Sequence, residues 1–264
     1  MNNPQVLLDT DSRGIATLTL NRPEVHNAFD DNVINSLIQH LEAIAEDPAV
    51  RVLVLRSEGK NFSAGADLNW MRRMATNSYQ ENLVDACSLG RLMQCLNDLP
   101  KPTIALVQGA AYGGAVGLAA CCDLVVATQA SQFCLSEVRI GLVPAVISPY
   151  VVRAIGERQS RRYFLTAEAF SATQAQAWGL VHELVETVEQ LDTAKDTLVT
   201  KLLNNSPCAL KAAKELIYAV SSKPISADVI EDTASRIADI RVSTEGQEGL
   251  SAFLEKRKPN WIQE

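Results

Sequence analysis

Three observations predict an α/β fold with a helical C-terminal region. Apolar β-like runs alternate with helix-period segments through the first two-thirds of the 264 residues. Two small-residue turns, Phe62-Ser63-Ala64-Gly65-Ala66-Asp67 and Gly109-Ala110-Ala111-Tyr112-Gly113-Gly114-Ala115-Val116-Gly117-Leu118, each follow an apolar run and lead into a helix-like one. Beyond Ser148 nearly every segment has helical character. Strands alternating with helices point to a parallel sheet with crossover connections.

In chain order, Gly14–Leu20 alternates β-branched and apolar residues and predicts a strand, which Asn21-Arg22-Pro23 breaks. Asp30 to Ala45 repeats Val33, Ile34, Leu37, Ile38, Leu41 and Ile44 at helical spacing. Val50–Leu55 is a buried strand and Ser57–Lys60 a turn. Gln80 to Leu96 predicts a long helix, Pro102–Val107 a strand, and Asp123–Ala127 another after the Gly-rich turn and a short helix. Six helical segments follow, at 148–167, 171–178, 187–204, 207–219, 225–241 and 244–256, with Leu180–Val185 a short strand. Ser171 and Ser206-Pro207 suit helix starts.

Hydrophobic residues make up 47% and charged residues 21% of the chain, ordinary for a globular protein. No apolar run has bilayer-spanning length, and Met1-Asn2-Asn3-Pro4 lacks a secretory pattern, so a cytoplasmic location is expected. The six cysteines show no C-x-x-C spacing and are expected to be reduced, buried hydrophobes. A net charge of −7 argues against nucleic acid as the main partner but permits a small anionic ligand.

The chemistry centres on the two turns. Small residues before a helix leave backbone N–H groups uncovered, and two facing turns can clamp one carbonyl oxygen as it gains negative charge. Alone, Ala64-Gly65-Ala66-Asp67 is a tight turn with Asp67 as helix cap. The second turn matches neither the dinucleotide nor the phosphate-loop pattern, and its glycines also suit close packing of a helix on a strand. Glu137 stands alone in an apolar stretch. On the residues alone a surface position ranks first, and a pocket position would raise its pKa toward neutrality and fit it for proton transfer. His26, His40 and His182 form neither a triad order nor a metal-ligand spacing. Trp70-Met71 suits a core seal first and a pocket wall second, and Lys256-Arg257-Lys258 a solvated helix end.

These pieces in this order resemble the enoyl-CoA hydratase/isomerase (crotonase) superfamily. The resemblance runs over nearly the whole chain: Asn21-Arg22-Pro23 with Asn27-Ala28, Phe62–Leu68, Lys101–Ala105, Gly109–Asp123, Ser136–Pro144, Ala175 with Gly179-Leu180-Val181, and Phe253–Pro259. Each segment alone is common, but their joint order is specific. The resemblance implies a spiral of repeated ββα units at 1–195 and a helical trimerisation region at 196–264. It further implies trimers or hexamers, an acyl-coenzyme A thioester as substrate, and no separate cofactor or metal. The N–H groups of Ala66 and Gly114 match the oxyanion hole, and Glu137 matches a catalytic glutamate. Ala64, Ala66, Asp67 and Leu68, with Val25 and His26, match segments that meet coenzyme A.

One departure bears on mechanism. Hydratases of the superfamily usually place two glutamates around the water, and the first of these positions is Gly117 here. The glycines usual after the active-site proline are also replaced, by Pro144-Ala145-Val146-Ile147-Ser148. Two enzymatic readings follow. Glu137 alone could shuttle a proton within a 3-enoyl thioester, as single-glutamate isomerases do. Or it could serve hydration alone, helped by a carboxylate on the substrate. Hydration is favoured, because Gly113–Leu118 with Cys121-Cys122-Asp123, and Phe133–Leu142 with Pro144–Pro149, resemble bacterial 3-methylglutaconyl-CoA and carboxygeranoyl-type CoA hydratases of leucine and isoprenoid breakdown. Gly117 is expected to open space for a branched, carboxylated acyl group. A non-catalytic or RNA-binding protein on the same fold is the minor reading.

Overall fold

The computed structural model describes residues 4–221 and 223–262. Its strands are β1 (Val6–Thr10), β2 (Ile15–Leu20), β3 (Val52–Ser57), β4 (Thr103–Val107), β5 (Ala110–Tyr112), β6 (Leu124–Thr128), β7 (Gln132–Cys134), β8 (Ala169–Ser171) and β9 (Glu183–Val185). The helices are α1 (Asp31–Glu46), α2 (Leu68–Met74), α3 (Tyr79–Asn97), α4 (Gly114–Cys121), α5 (Ser148–Thr166), α6 (Ala172–Trp178), α7 (Glu189–Leu203), α8 (Pro207–Val220), α9 (Ala227–Val242) and α10 (Thr244–Glu255). The chain divides into two compact units, Met1–Leu99 with Thr103–Asp196, and Pro100–Pro102 with Thr197–Glu264.

The first unit holds a six-stranded sheet in the order β1-β2-β3-β4-β6-β9 and a three-stranded sheet β5-β7-β8. Among the described residues only β1–β2 and β7–β8 pair antiparallel. β4 is buried throughout and β2, β3 and β6 nearly so, as expected of apolar strands covered on both faces. The alternation of sheets makes the spiral. β4 runs on into β5, and β6 into β7, the first of each pair lying in one sheet and the second in the other. β3 does the same in miniature, since Ser63 after it bridges Ala111 of β5. β2 follows suit, since Phe29 after it bridges Ala66. Each turn of the spiral therefore lays a short extended segment beside that of the next turn.

Helix ends follow local chemistry. The Asp30 carboxylate accepts the Val33 N–H at 3.0 Å and starts α1, which buries Val33, Ile34, Leu37, Leu41 and Ile44. Each such side chain contributes about 1.5–3 kcal/mol by leaving water. Ser78 with Glu81 and Ser171 with Gln174 form capping boxes on α3 and α6. In the second unit Ser206 caps α8, with Pro207 in its first turn. Arg257 is not simply solvated, for it clasps Glu248 through two nitrogens at 2.6 and 2.8 Å. Of the six free cysteines, Cys121, Cys122 and Cys134 are buried as expected, while Cys87 and Cys208 are exposed.

Candidate active site

All predicted site residues fall in the first unit. Backbone hydrogen bonds stitch the two small-residue turns together. Phe62 N–H donates to Gln108 O at 2.7 Å, Ser63 N–H to Ala110 O at 3.0 Å, and Tyr112 N–H to Ser63 O at 3.0 Å. Three residues beyond the Ser63–Ala111 bridge, the turns reach Ala66 and Gly114. Both sit against Phe29. Its N–H and C=O hold the peptides of Gly65 and Asp67 on either side of Ala66, at 2.9 and 3.0 Å. A Cβ on Gly114 would stand 2.6 Å from Phe29 Cζ, so only glycine fits. Among the described residues, neither the Ala66 nor the Gly114 N–H donates to another protein group. Gly114 opens α4, whose dipole adds positive potential at that amide.

Glu137 comes to the same helix start. It follows β7 and opens a short 3-10 turn, Glu137–Ile140. Cys134 at the end of β7 accepts the Gly113 N–H at 2.8 Å, which ties this segment to the turn before α4. Gly113 takes φ 54° and ψ −122°, which a side chain would disfavour, and a Cβ there would lie 3.1 Å from Glu137 Oε1. The carboxylate thus lies against the residue preceding the Gly114 amide. Its Oε2 is buried without a hydrogen-bond partner. Burial pushes its pKa up from the ordinary carboxylate value, and a hydrogen bond from its own backbone only partly offsets this. The surface position ranked first on residues alone gives way to a desolvated carboxyl group, because β7 and the Gly113 hydrogen bond turn it inward.

The space beside Gly117 contradicts the expected opening for a branched acyl group. A Cβ on Gly117 would stand 2.3 Å from Ile147 Cγ2, 2.8 Å from Ile147 Cβ and 3.2 Å from Met93 Sδ. Ile147 is 2% exposed, so its side chain fills the volume that glycine leaves. With Ile147 in place, position 117 has no room for a second carboxylate beside Glu137.

The remaining predicted residues form a rim. Val25 and His26 are exposed, as are Ala64 and Leu68. The Ala64 N–H donates to His26 O at 2.9 Å, joining the two loops, and Asn61 Nδ2 lies 3.1 Å from His26 Nδ1. Asp67 faces inward. Its Oδ1 accepts the Asn69 and Trp70 N–H groups at 2.7 and 3.3 Å, and its Oδ2 meets Arg22 Nη2 at 3.0 Å. Burial acts to raise its pKa, but these donors outweigh it and hold the carboxyl below its ordinary value. Its side chain caps α2, leaving only its backbone to meet a ligand. Trp70 joins the core, its indole N–H reaching Asp85 at 3.2 Å. Phe29, Gly113 and Ile147 shape the site without having been singled out for it in the sequence. The Gly113-Gly114 pair was a signal for Gly113 and the replaced glycines after Pro144 marked the stretch that holds Ile147, but nothing local marks Phe29.

A family model described as Enoyl-CoA hydratase/isomerase matches residues 10–264. The chain is 47% identical to the crystal structure of an enoyl-CoA hydratase from Shewanella pealeana, with TM-score 0.95, covering 98% of this chain and 96% of that one. It is 34% identical to 2,3-dehydroadipyl-CoA hydratase of Escherichia coli K12, covering 94% of each chain. It is also 30% identical to trans-2-decenoyl-[acyl-carrier-protein] isomerase of Streptococcus mutans, over 99% of both.

Proposed function

The chain belongs to the enoyl-CoA hydratase/isomerase family, and from that premise we propose that it adds water across the α,β double bond of an enoyl-CoA thioester. The observation that carries this is the Glu137 carboxylate, its Oε2 buried without a partner among the described residues, at the same helix start as the Gly114 amide, which like that of Ala66 donates to no described protein group. The thioester oxygen accepts hydrogen bonds from Ala66 and Gly114. Glu137 takes a proton from water as the water oxygen bonds to the β-carbon. The π electrons move onto the thioester oxygen as an enolate, and the same carboxyl group delivers the proton to the α-carbon. Loss of one such oxyanion donor typically costs about 10²–10³ in rate.

The exposed rim of Val25, His26, Ala64 and Leu68, with the backbone of Ala66 and Asp67, would meet the coenzyme A portion. A carboxylated acyl group is supported by the resemblance noted above and by the dehydroadipyl thioester in one relative's name. The volume beside Gly117 is filled by Ile147 and lends it nothing. Double-bond migration is the second reading, and the Gly117–Ile147 contact favours it, since a lone carboxylate suffices there. Glu137 would remove the α-proton of a 3-enoyl thioester and return it to the γ-carbon of the dienolate. Among the described residues of α8 and α9 none is buried, and Ile217, Ile230 and Ile237 are exposed, which supports assembly as a trimer or hexamer.

A panel of straight, branched and carboxylated 2-enoyl and 3-enoyl thioesters tests these readings. Hydration removes the conjugated-enoyl absorbance and migration creates it. Decay with the carboxylated branched 2-enoyl thioester, outpacing crotonyl-CoA, is the expected result. Equal turnover of the two contradicts the carboxylated substrate, absorbance gain from a 3-enoyl thioester alone makes the chain an isomerase, and no reaction with any substrate contradicts catalysis.

A further inference from the structure

The backbone carbonyl of Ala167 accepts two hydrogen bonds from side chains that bracket Glu137. Cys134 Sγ donates from one side of the glutamate at 3.3 Å, and Arg139 Nη2 from the other at 2.5 Å. Ala167 is fully buried and caps α5 in a left-handed conformation, φ 52° and ψ 25°, rare for a residue with a Cβ. That conformation turns its carbonyl toward the two donors and away from the helix ladder. The Cys134–Arg139 segment is therefore pinned at both ends to one atom. It is pinned again to the start of α4 by the Gly113 N–H on Cys134 O, and closed by the Gly141 and Leu142 N–H groups on Glu137 O. Among the described residues no side chain aims Glu137, and its Oε2 is unpaired. Its direction must come from the backbone that carries it.

Resting on the function proposed above, we propose that Arg139 is a positioning residue, which ties the end of the Glu137 segment to the C-terminus of α5 through the Ala167 carbonyl while the Cys134 end stays bound to the start of α4. Arg139 is itself exposed, yet its guanidinium spends a charge-assisted hydrogen bond on a buried neutral carbonyl. Without that bond the end of the 3-10 turn can swing outward, and the carboxyl group drifts from the carbon it serves. A displacement of about 1 Å in a reacting group costs on the order of 100-fold in rate.

Steady-state kinetics and thermal melts of full-length Arg139→Met, Arg139→Lys, Cys134→Ala and Ala167→Gly test this, beside the parent chain and Glu137→Gln. For Arg139→Met the expected result is a kcat about 10- to 100-fold lower, with KM within about threefold. Arg139→Lys, which keeps a charged donor, regains most of that loss. Cys134→Ala loses less, and Ala167→Gly, which keeps the carbonyl and relieves the left-handed strain, retains kcat and melts no lower. Parent-level kcat in Arg139→Met overturns the proposal, as does a loss confined to KM. So does a parallel fall in kcat and Tm without rescue by lysine. If the parent chain turns over no enoyl thioester, or Glu137→Gln is fully active, it is the proposed function that fails.

Discussion

At the scale of single residues, Glu137 carries a charge that the fold does not neutralise. Burial lifts its pKa above the ordinary carboxylate value, so the fraction able to accept a proton falls at a higher pH than for an exposed glutamate. The acid limb of kcat/KM is expected above about pH 4.5, and Glu137→Asp or a more open site moves it down. Stability runs the opposite way. Below the unfolded-state pKa the group is neutral in both states, but above the raised native pKa its charge is buried on folding, so stability is lost as pH rises through that window. Glu137→Gln is expected to raise Tm more at about pH 8 than at about pH 4, and calorimetric melts at the two pH values check it. Gly113 guards the same group. Gly113→Ala forces a side chain into a positive φ and within 3.1 Å of Glu137 Oε1, so kcat should fall more than binding. Glu137 was visible in the sequence as an isolated acid, but its burial was not, because burial depends on the Cys134–Gly113 hydrogen bond between distant turns.

At the scale of elements, α2 and α4 are held by opposite means. Asp67→Ala removes the α2 cap, worth about 1 kcal/mol, and takes a partner from Arg22, which keeps Asp30 at 3.6 Å and Ala28 O at 2.7 Å. Because the Asp67 pKa is depressed, that stability is present above the unfolded-state value and lost as pH falls through the native one. In α4 close approach decides. Gly117→Ala gains up to about 1 kcal/mol of helix propensity but meets Ile147 at 2.3 Å, and overpacking costs about 1–3 kcal/mol. A lower Tm is expected, with Ile147→Ala costing less in the Gly117→Ala background than alone, as a double-mutant cycle would show. Long elements such as α1 were legible because five buried apolar residues repeat at helical spacing. β5, β7 and β8 were not, since three residues are too few to alternate. β1 hid because only Val6 of its five residues is buried and Leu7-Leu8 breaks the period.

At the scale of the whole molecule, the order of motifs made the spiral legible, while the sites where its turns meet were not. The bridges Phe29–Ala66 and Ser63–Ala111 join segments far apart in sequence and leave no local pattern. The second unit was legible as helices, and the proposed assembly draws on α8 and α9, among whose described residues none is buried. Light scattering is expected to give three or six copies, with Ile237→Glu shifting the population toward monomer, and a monomeric parent chain would contradict the assembly. The proposed function rests on one act, movement of a proton by Glu137 next to a carbonyl held by the Ala66 and Gly114 amides. Turnover and thioester affinity of the assembled Glu137→Gln variant test it most directly. Turnover lower by about 10²–10⁴ with dissociation constants near those of the parent is the predicted result, whereas near-parental turnover, or affinity lost along with it, would contradict the account.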